Sequence, residues 1–242
     1  RSLHVTGVQT CALPICNGKH KTQPTPMNVT HFIYAALVAS AAAFFISCED
    51  DNYRAATQRL DLVDFISDEN GLSHKMVLDN GDTLRLTHPE GGFLPDTICR
   101  CQAVYRPAGG ADNGVVEVTS LGQILTLPPL RYNIVYADPV SVTSAWLGGN
   151  YLNLRLLLRT KGSAHAIGFA FLGYSEADNG AQTLELMLYN NSGNDDEYFS
   201  RETFVSCALH GYIDNLKPGR DSVAIKVNEY DKGFVDHRLP LR

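Results

Sequence analysis

The chain contains no C-x-x-C pair, no G-x-S-x-G, no H-E-x-x-H, no G-x-x-x-x-G-K-[ST] and no EF-hand loop. The first absence argues against a zinc ribbon or a thioredoxin-type centre. The others remove the nucleophile elbow, the zincin helix, the phosphate loop and the commonest calcium loop. Positive charge is also scarce, with 20 Lys and Arg against 26 Asp and Glu. Every acid lies beyond Cys48, whereas Arg1, Lys19 and Lys21 precede it, so the acidic excess deepens after that point. Non-specific nucleic-acid binding draws on basic patches, so no nucleic-acid partner is expected. No stretch reads as a long amphipathic helix. Without a nucleophile–base or metal constellation, neither an enzyme nor a cofactor is expected, and no metal ligand is assigned.

What is present begins oddly. Val5–Ile15, VTGVQTCALPI, is the translation of a common short-read sequencing adapter. Residues 1–15 are therefore expected to be adapter read-through rather than protein, and 16–26 an uncertain leader or untranslated region. Residues 27–47 read as a signal peptide. Phe32 to Ile46 is an apolar run too short to span a bilayer. It closes in Phe45-Ile46-Ser47-Cys48, which resembles the bacterial lipobox, although Phe45 stands where Leu is usual and Met27 to His31 holds no Lys or Arg. Cys48 is the expected lipidation site. Its acyl chains, palmitate among them, would supply the membrane affinity, because two or more chains anchor stably where one is marginal. Glu49-Asp50-Asp51 opens an acidic tether, 48–57. In lipoproteins of the Bacteroidetes such a cluster resembles a signal for the outer face of the outer membrane. The expected location is thus the outer membrane, lipid-anchored and surface-exposed, or else its periplasmic face.

The remainder reads as all-β. RLDLVDFIS, HKMVLDNGDTLRLT, DTICRCQAVY and GVVEVTSLGQIL are alternations of strand length broken by Gly, Asn and Asp. About five strands over 58–127 suit a small OB-like Greek-key barrel. Asp79-Asn80-Gly81-Asp82 predicts a hairpin, with positive φ at both Asn80 and Gly81 if the turn is type I′. Pro128-Pro129 cannot continue a central strand, so 128–137 is expected to be a linker. About seven short strands over 138–242 suggest an antiparallel β-sandwich. Cys99, Cys101 and Cys207 are expected as buried free thiols, with a bridge from Cys207 to either of the others as the alternative.

Against this background the acylated cysteine and acidic tether, LDNGDTL, ILTLPP, DPVSVTSAWLGGNYLNLRLLL and DSVAIKVNEYD resemble the NigD-like lipoproteins of Bacteroides, Prevotella and relatives. The similarity spans the chain after Cys48 and is most distinctive at W-x-G-G-N-Y-L-N, Trp146 to Asn153. It implies an OB-like N-terminal domain, a C-terminal β-sandwich and a link to bacteriocin gene clusters, but no catalytic residues.

Few residues stand out as ligand contacts. Trp146, beside Gly148-Gly149, could stack on a sugar, and Tyr151 follows it. A Trp packed under a tight turn is the plainer alternative. His165, His210 and His237 come from distant strands, and lone strand histidines are usually structural. Asp195, Asp196 and Glu197 lack alternating calcium-ligand spacing and read as a charged tip. In the barrel half Phe65, Phe93 and Tyr105 are dispersed, and Arg85, Arg100 and Arg106 are unclustered. Asp-[Ser/Thr]-aliphatic tripeptides mark Ser222, Thr97 and Thr83 as O-glycosylation candidates, Ser222 first, because KPGRD before it should be an exposed loop. The expected function is a non-catalytic binding module for an unknown protein, peptide or glycan, with the bacteriocin association that the resemblance implies. Its alternatives are a structural accessory subunit of an envelope complex and an envelope hydrolase.

Overall fold

The computed structural model describes residues 58–110, 113–132, 135–193, 195 and 197–242. The adapter-like start, the signal peptide, Cys48 and the whole of the tether lie outside them. Alternating side chains first produce five strands: β1 (Arg59–Ile66), β2 (Ser73–Leu78), β3 (Thr83–Glu90), β4 (Ile98–Pro107) and β5 (Val115–Gln123). They close into a barrel in the order β1-β2-β3-β5-β4. β4 seals it by pairing antiparallel with β1 from Arg59↔Tyr105 to Ile66↔Ile98, while β3 and β5 run parallel. This is the OB-like Greek-key barrel expected from five strands. Period-two alternation sends Val63 and Phe65 of β1 inward against Cys101, Ala103 and Tyr105 of β4. Phe65 also stacks on Phe93 at 5.4 Å. The small Cys101 and Ala103 leave room in a narrow interior for these rings.

The Asn-Gly hairpin forms, but not as type I′. Gly81 has φ +90°, whereas Asn80 keeps a negative φ. The Gly81 amide donates to Leu78 O, and the Leu78 amide donates to Asp82 O, both at 2.9 Å. This is a three-residue loop, a type I turn followed by a left-handed glycine that forms a bulge. Asn80 fixes it by accepting from the Asp82 amide through Oδ1 at 3.0 Å.

Eight further strands build the sandwich: β6 (Leu125–Leu127), β7 (Ser141–Gly148), β8 (Tyr151–Thr160), β9 (Ala166–Glu176), β10 (Gln182–Asn191), β11 (Phe199–Ala208), β12 (Ser222–Glu229) and β13 (Gly233–Pro240). One sheet runs β13-β12-β10-β9 and the other β6-β11-β8-β7. Two pairs, β10–β12 and β6–β11, are parallel, so the sheets are not wholly antiparallel. The core between them is largely leucine, including Leu152, Leu154, Leu156, Leu184 and Leu186.

The expected boundary at Pro128 moves. β6 is not the end of the barrel; it pairs with β11 through Val205↔Leu125 and Cys207↔Leu127. Only Ile124 separates it from β5. Nor is the segment after β6 a free linker. The Leu130 amide donates to Phe169 O at 2.8 Å and the Asp138 amide to Asn190 O at 2.9 Å. Tyr132 stacks on Tyr189 at 5.0 Å.

Cys99, Cys101 and Cys207 are free thiols, the first two with Sγ atoms 3.7 Å apart. Cys101 belongs to the barrel core and Cys207 to the sandwich core. Burial pushes both thiols well above the ordinary range, which keeps them protonated and unreactive.

Candidate functional site

Strand β8 identifies where the two domains meet. Its inward residues are Leu152, Leu154, Leu156 and Leu158, so Tyr151, Asn153 and Arg155 point to the other face. Arg155 is exposed as expected, yet Tyr151 and Asn153 are buried. The barrel covers them. From its outer wall, Arg100 of β4 enters with a side chain only 1% exposed. Its Nη1 donates to Asp64 Oδ1 at 3.2 Å and its Nη2 to Asn153 Oδ1 at 3.3 Å. Nη2 also lies 2.6 Å from Asp79 Oδ1, an ion-pair contact without hydrogen-bond geometry. The guanidinium stands 4.3 Å over the Tyr151 ring, whose hydroxyl donates to Asp64 Oδ2 at 3.2 Å. Ser206 of β11 donates to Asn153 Oδ1 at 2.6 Å. The two distinctive turns also meet: the Gly149 amide donates to Asp79 O at 3.0 Å. A Cβ at Gly148 would overlap the Asp79 carboxylate, so glycine here lets the two turns meet without displacing that side chain.

One guanidinium thus serves two carboxylates. Burial raises the pKa of Asp79, and Arg100 only partly offsets it, while Asp64 and Asp61 add repulsion. Burial and neighbouring Asp64 push the Tyr151 hydroxyl up to about 12. Tyr105, whose hydroxyl donates to Asp61 Oδ2 at 2.8 Å, is likewise pushed up to about 12 by burial and Asp61. Both phenols remain neutral donors at physiological pH.

Beside this seam lies a cleft of about 540 Å³. The barrel lines it with Leu60, Asp61, Leu62, Leu78, Asp79 and Asn80, the sandwich with Ser144, Trp146, Arg155 and Phe204. A second hollow of about 670 Å³ shares Asp79, Asn80 and Trp146 and extends to Leu239–Arg242. Trp146 is half-buried and lines both, so the structure makes it a wall of the cleft. Tyr151, paired with it as a ligand contact on sequence grounds, is only 6% exposed and is occupied by Arg100 and Asp64. Tyr151 is therefore a structural residue of the seam.

Residues 124–240 match the family model of the NigD-like C-terminal beta sandwich domain. This half of the chain is a NigD-like domain. Solved structures agree with the whole arrangement. A NigD-like immunity protein from Bacteroides caccae is 25% identical, with a TM-score of 0.60 over 74% of this chain and 91% of its own. A candidate toxin-related protein from Parabacteroides distasonis is 20% identical, TM-score 0.60, over 76% and 92%. A candidate lipoprotein from Bacteroides fragilis is 13% identical, TM-score 0.51, over 77% and 98%. The last two likenesses establish the fold alone. No protein of curated function matches the sequence.

Elsewhere the NigD-like sandwich disperses the histidines considered as a group. His165 Nδ1 lies 3.2 Å from Asn190 Oδ1, His210 Nε2 lies 3.2 Å from Asn150 Nδ2, and His237 Nε2 lies 2.8 Å from Glu229 Oε1. Asp195 is not a solvated tip. Its carboxylate accepts from Thr160 Oγ1 and from the Lys161 amide, and these bonds lower its pKa. Glu197 instead turns to Arg159 at 3.2 Å. Asp196 lies outside the described residues, among which no three His, Cys, Asp or Glu side chains converge as a metal would require. In the barrel Phe65 and Tyr105 are interior, Phe93 is buried, and Arg106 pairs with Glu117 at 2.8 Å.

Of the candidate modification sites, Thr83 is exposed at the start of β3, whereas Thr97 and Ser222 are half-buried. Thr97 donates to Leu94 O at 2.7 Å, and Ser222 lies 2.9 Å from Thr183 Oγ1. Asp221, before Ser222, is 1% exposed and accepts from Arg220, Gln182 and Lys217. Exposure therefore favours Thr83 over Ser222 as an acceptor. The residues that sequence reasoning passed over are Asp64, Asp79, Arg100, Asn153 and Ser206. An outward Asn153 on β8 fits ordinary alternation, so nothing local in the sequence pointed to them.

Proposed function

We propose that this NigD-like chain is a non-catalytic lipoprotein, held at the outer membrane through Cys48, that presents the barrel–sandwich cleft to a protein, peptide or glycan. One observation carries the reading: both domains build a single cleft around half-buried Trp146. Its lining holds carboxylates, an amide and aromatic surface, but no His or Cys. Such a mixture suits the recognition of a ligand. The similarity to an immunity protein favours a polypeptide as the occupant.

Affinity capture from native outer membranes tests the cleft. Trp146→Ala is expected to lose the partner that the wild-type protein retains, while its thermal melt stays close to wild type. Undiminished capture by the variant would overturn the reading. The anchor is tested separately, by labelling with a palmitate analogue. Cys48→Ser is expected to abolish the label, and unchanged labelling would refute acylation at that residue.

A structural accessory role has one feature of its own in support. Leu94 and Ile98, in and after the loop that leads into β4, are 75% and 62% exposed. Two exposed apolar side chains four positions apart in the sequence are compatible with a further contact partner.

A further inference from the structure

We propose that the cleft beside Trp146 receives a lysine or arginine side chain of a partner polypeptide. The inference rests on the reading of the cleft as a binding site and specifies what enters it. The argument is one of unbalanced charge. Asp61 is exposed at the cleft wall, and Asp79 lines it from the hairpin that follows β2. Behind them Arg100 is a single cation shared by Asp64 and Asp79. The cation of the lining itself, Arg155, is already 2.5 Å from Glu202 and stands over Phe204. Arg59 reaches the Tyr105 hydroxyl that also bonds Asp61. Three cations, Arg59, Arg100 and Arg155, thus stand against four acids, Asp61, Asp64, Asp79 and Glu202, and one carboxylate charge is left over beside the cavity.

The remaining walls suit the stem of such a side chain. Leu60, Leu62, Leu78 and Phe204 offer apolar surface for methylene groups, and the Trp146 indole offers a ring against which an ammonium or guanidinium packs. The Asn80 side chain adds an amide at the rim. A neutral sugar would use the indole and the amide but leave the carboxylate charge uncompensated. An acidic peptide would be repelled.

Trp146 is the only tryptophan in the chain, so its fluorescence reports on this cleft directly. The probes are pentalysine, pentaglutamate and maltopentaose, titrated into the purified protein beginning at Cys48. Pentalysine is expected to give a saturable change, weakened about tenfold between 50 and 500 mM salt because screening shortens the reach of the carboxylates. Pentaglutamate is expected to give none. Ser144 is exposed on β7 and lines the cleft. Ser144→Lys fills it with a cation from within and should weaken pentalysine by roughly fivefold or more, as should Asp61→Asn. Unchanged far-UV spectra and melts establish that both variants fold.

No saturable response to pentalysine, or a response indifferent to Ser144→Lys, would overturn the inference. So would saturation by maltopentaose in its place. Outer-membrane capture with Ser144→Lys distinguishes this failure from failure of the cleft itself. If the native partner is lost although pentalysine does not bind, the cleft is a binding site for something uncharged. If the partner is retained, the cleft reading falls as well.

Discussion

The barrel and the sandwich solve the problem of burial differently. The sandwich closes over sixteen buried apolar residues, most of them leucine, valine and isoleucine. The barrel closes over eight, and one of these is Tyr105, whose hydroxyl must find Asp61. A core that small is marginal alone. The barrel compensates on its outside, where Leu62 and Arg100 of β1 and β4 are buried although they point away from its interior. The sandwich supplies that cover. The comparison leads to the expectation that the smaller domain depends on docking more than the larger one does, and hydrogen exchange resolved by segment can test this.

The largest expected effect comes from Arg100→Met. It leaves Asp64 and Asp79 facing each other in the seam without their cation, at a cost of about 3–5 kcal/mol. Exchange should accelerate across β1–β5 while amides of β10 and β12 stay protected. Uniform acceleration across both domains would show that they unfold as one unit. Gly148→Ala comes next. Its backbone φ is accessible to alanine, so the change acts through the collision that drives Asp79 away from Arg100. About 1–3 kcal/mol is expected. Trp146 fluorescence should report undocking at a lower temperature than the circular dichroism of the sandwich, and coincident transitions would contradict the conditional barrel.

Gly81→Val forces a β-branched residue into the left-handed region and should cost about 1–2 kcal/mol, again confined to barrel amides. A barrel melt unchanged by this substitution would contradict the bulged hairpin. The smallest effect is one of sign under mild acid. Hydrogen bonds from Ser192 lower the pKa of Asp138, and Arg220 together with the Gln182 and Lys217 amides lowers that of Asp221. Both favour the folded sandwich above the ordinary carboxylate range, and that contribution is lost as pH falls toward their depressed values. Asp79 behaves oppositely. Its pKa is raised by burial, so its ionised form disfavours the docked state near neutrality. That penalty is relieved as pH falls through the raised value toward the ordinary range. Acidification should therefore narrow the gap between the two transitions, and a widening gap would refute these assignments.

Much of this architecture was legible from periodicity. The strand pattern of VDF and CQAVY is a direct reading of side-chain alternation, and so is the placement of the hairpin. The turn subtype was not, because Asn-Gly favours type I′ only when two residues bridge the strands, and here Leu78 pairs with Asp82 around three. β6 was hidden for another reason. Three residues ending before Pro-Pro carry too little pattern to show which sheet they join, and the β11 partner is some eighty positions away. The seam was the least visible of all. Arg100 meets Asn153 across a sequence separation of 53 and Tyr151 meets Asp64 across 87, and no local rule links such positions. The motif around Trp146 could be singled out, but not the reason that an asparagine sits outward on a leucine-rich strand.

The short β6 has a consequence for how the chain can be divided. With Ile124 as the sole residue between β5 and β6, there is no tether on which the two domains could swing. A fragment begun at Asp138, where periodicity placed the sandwich, would lack β6 and uncover the backbone edge of β11 from Val205 to Cys207. Bare edges of that kind recruit copies of themselves. The fragment begun at Ile124 keeps the edge capped, and so the difference between a monomer and an associating species would lie in three residues that read as the end of the barrel.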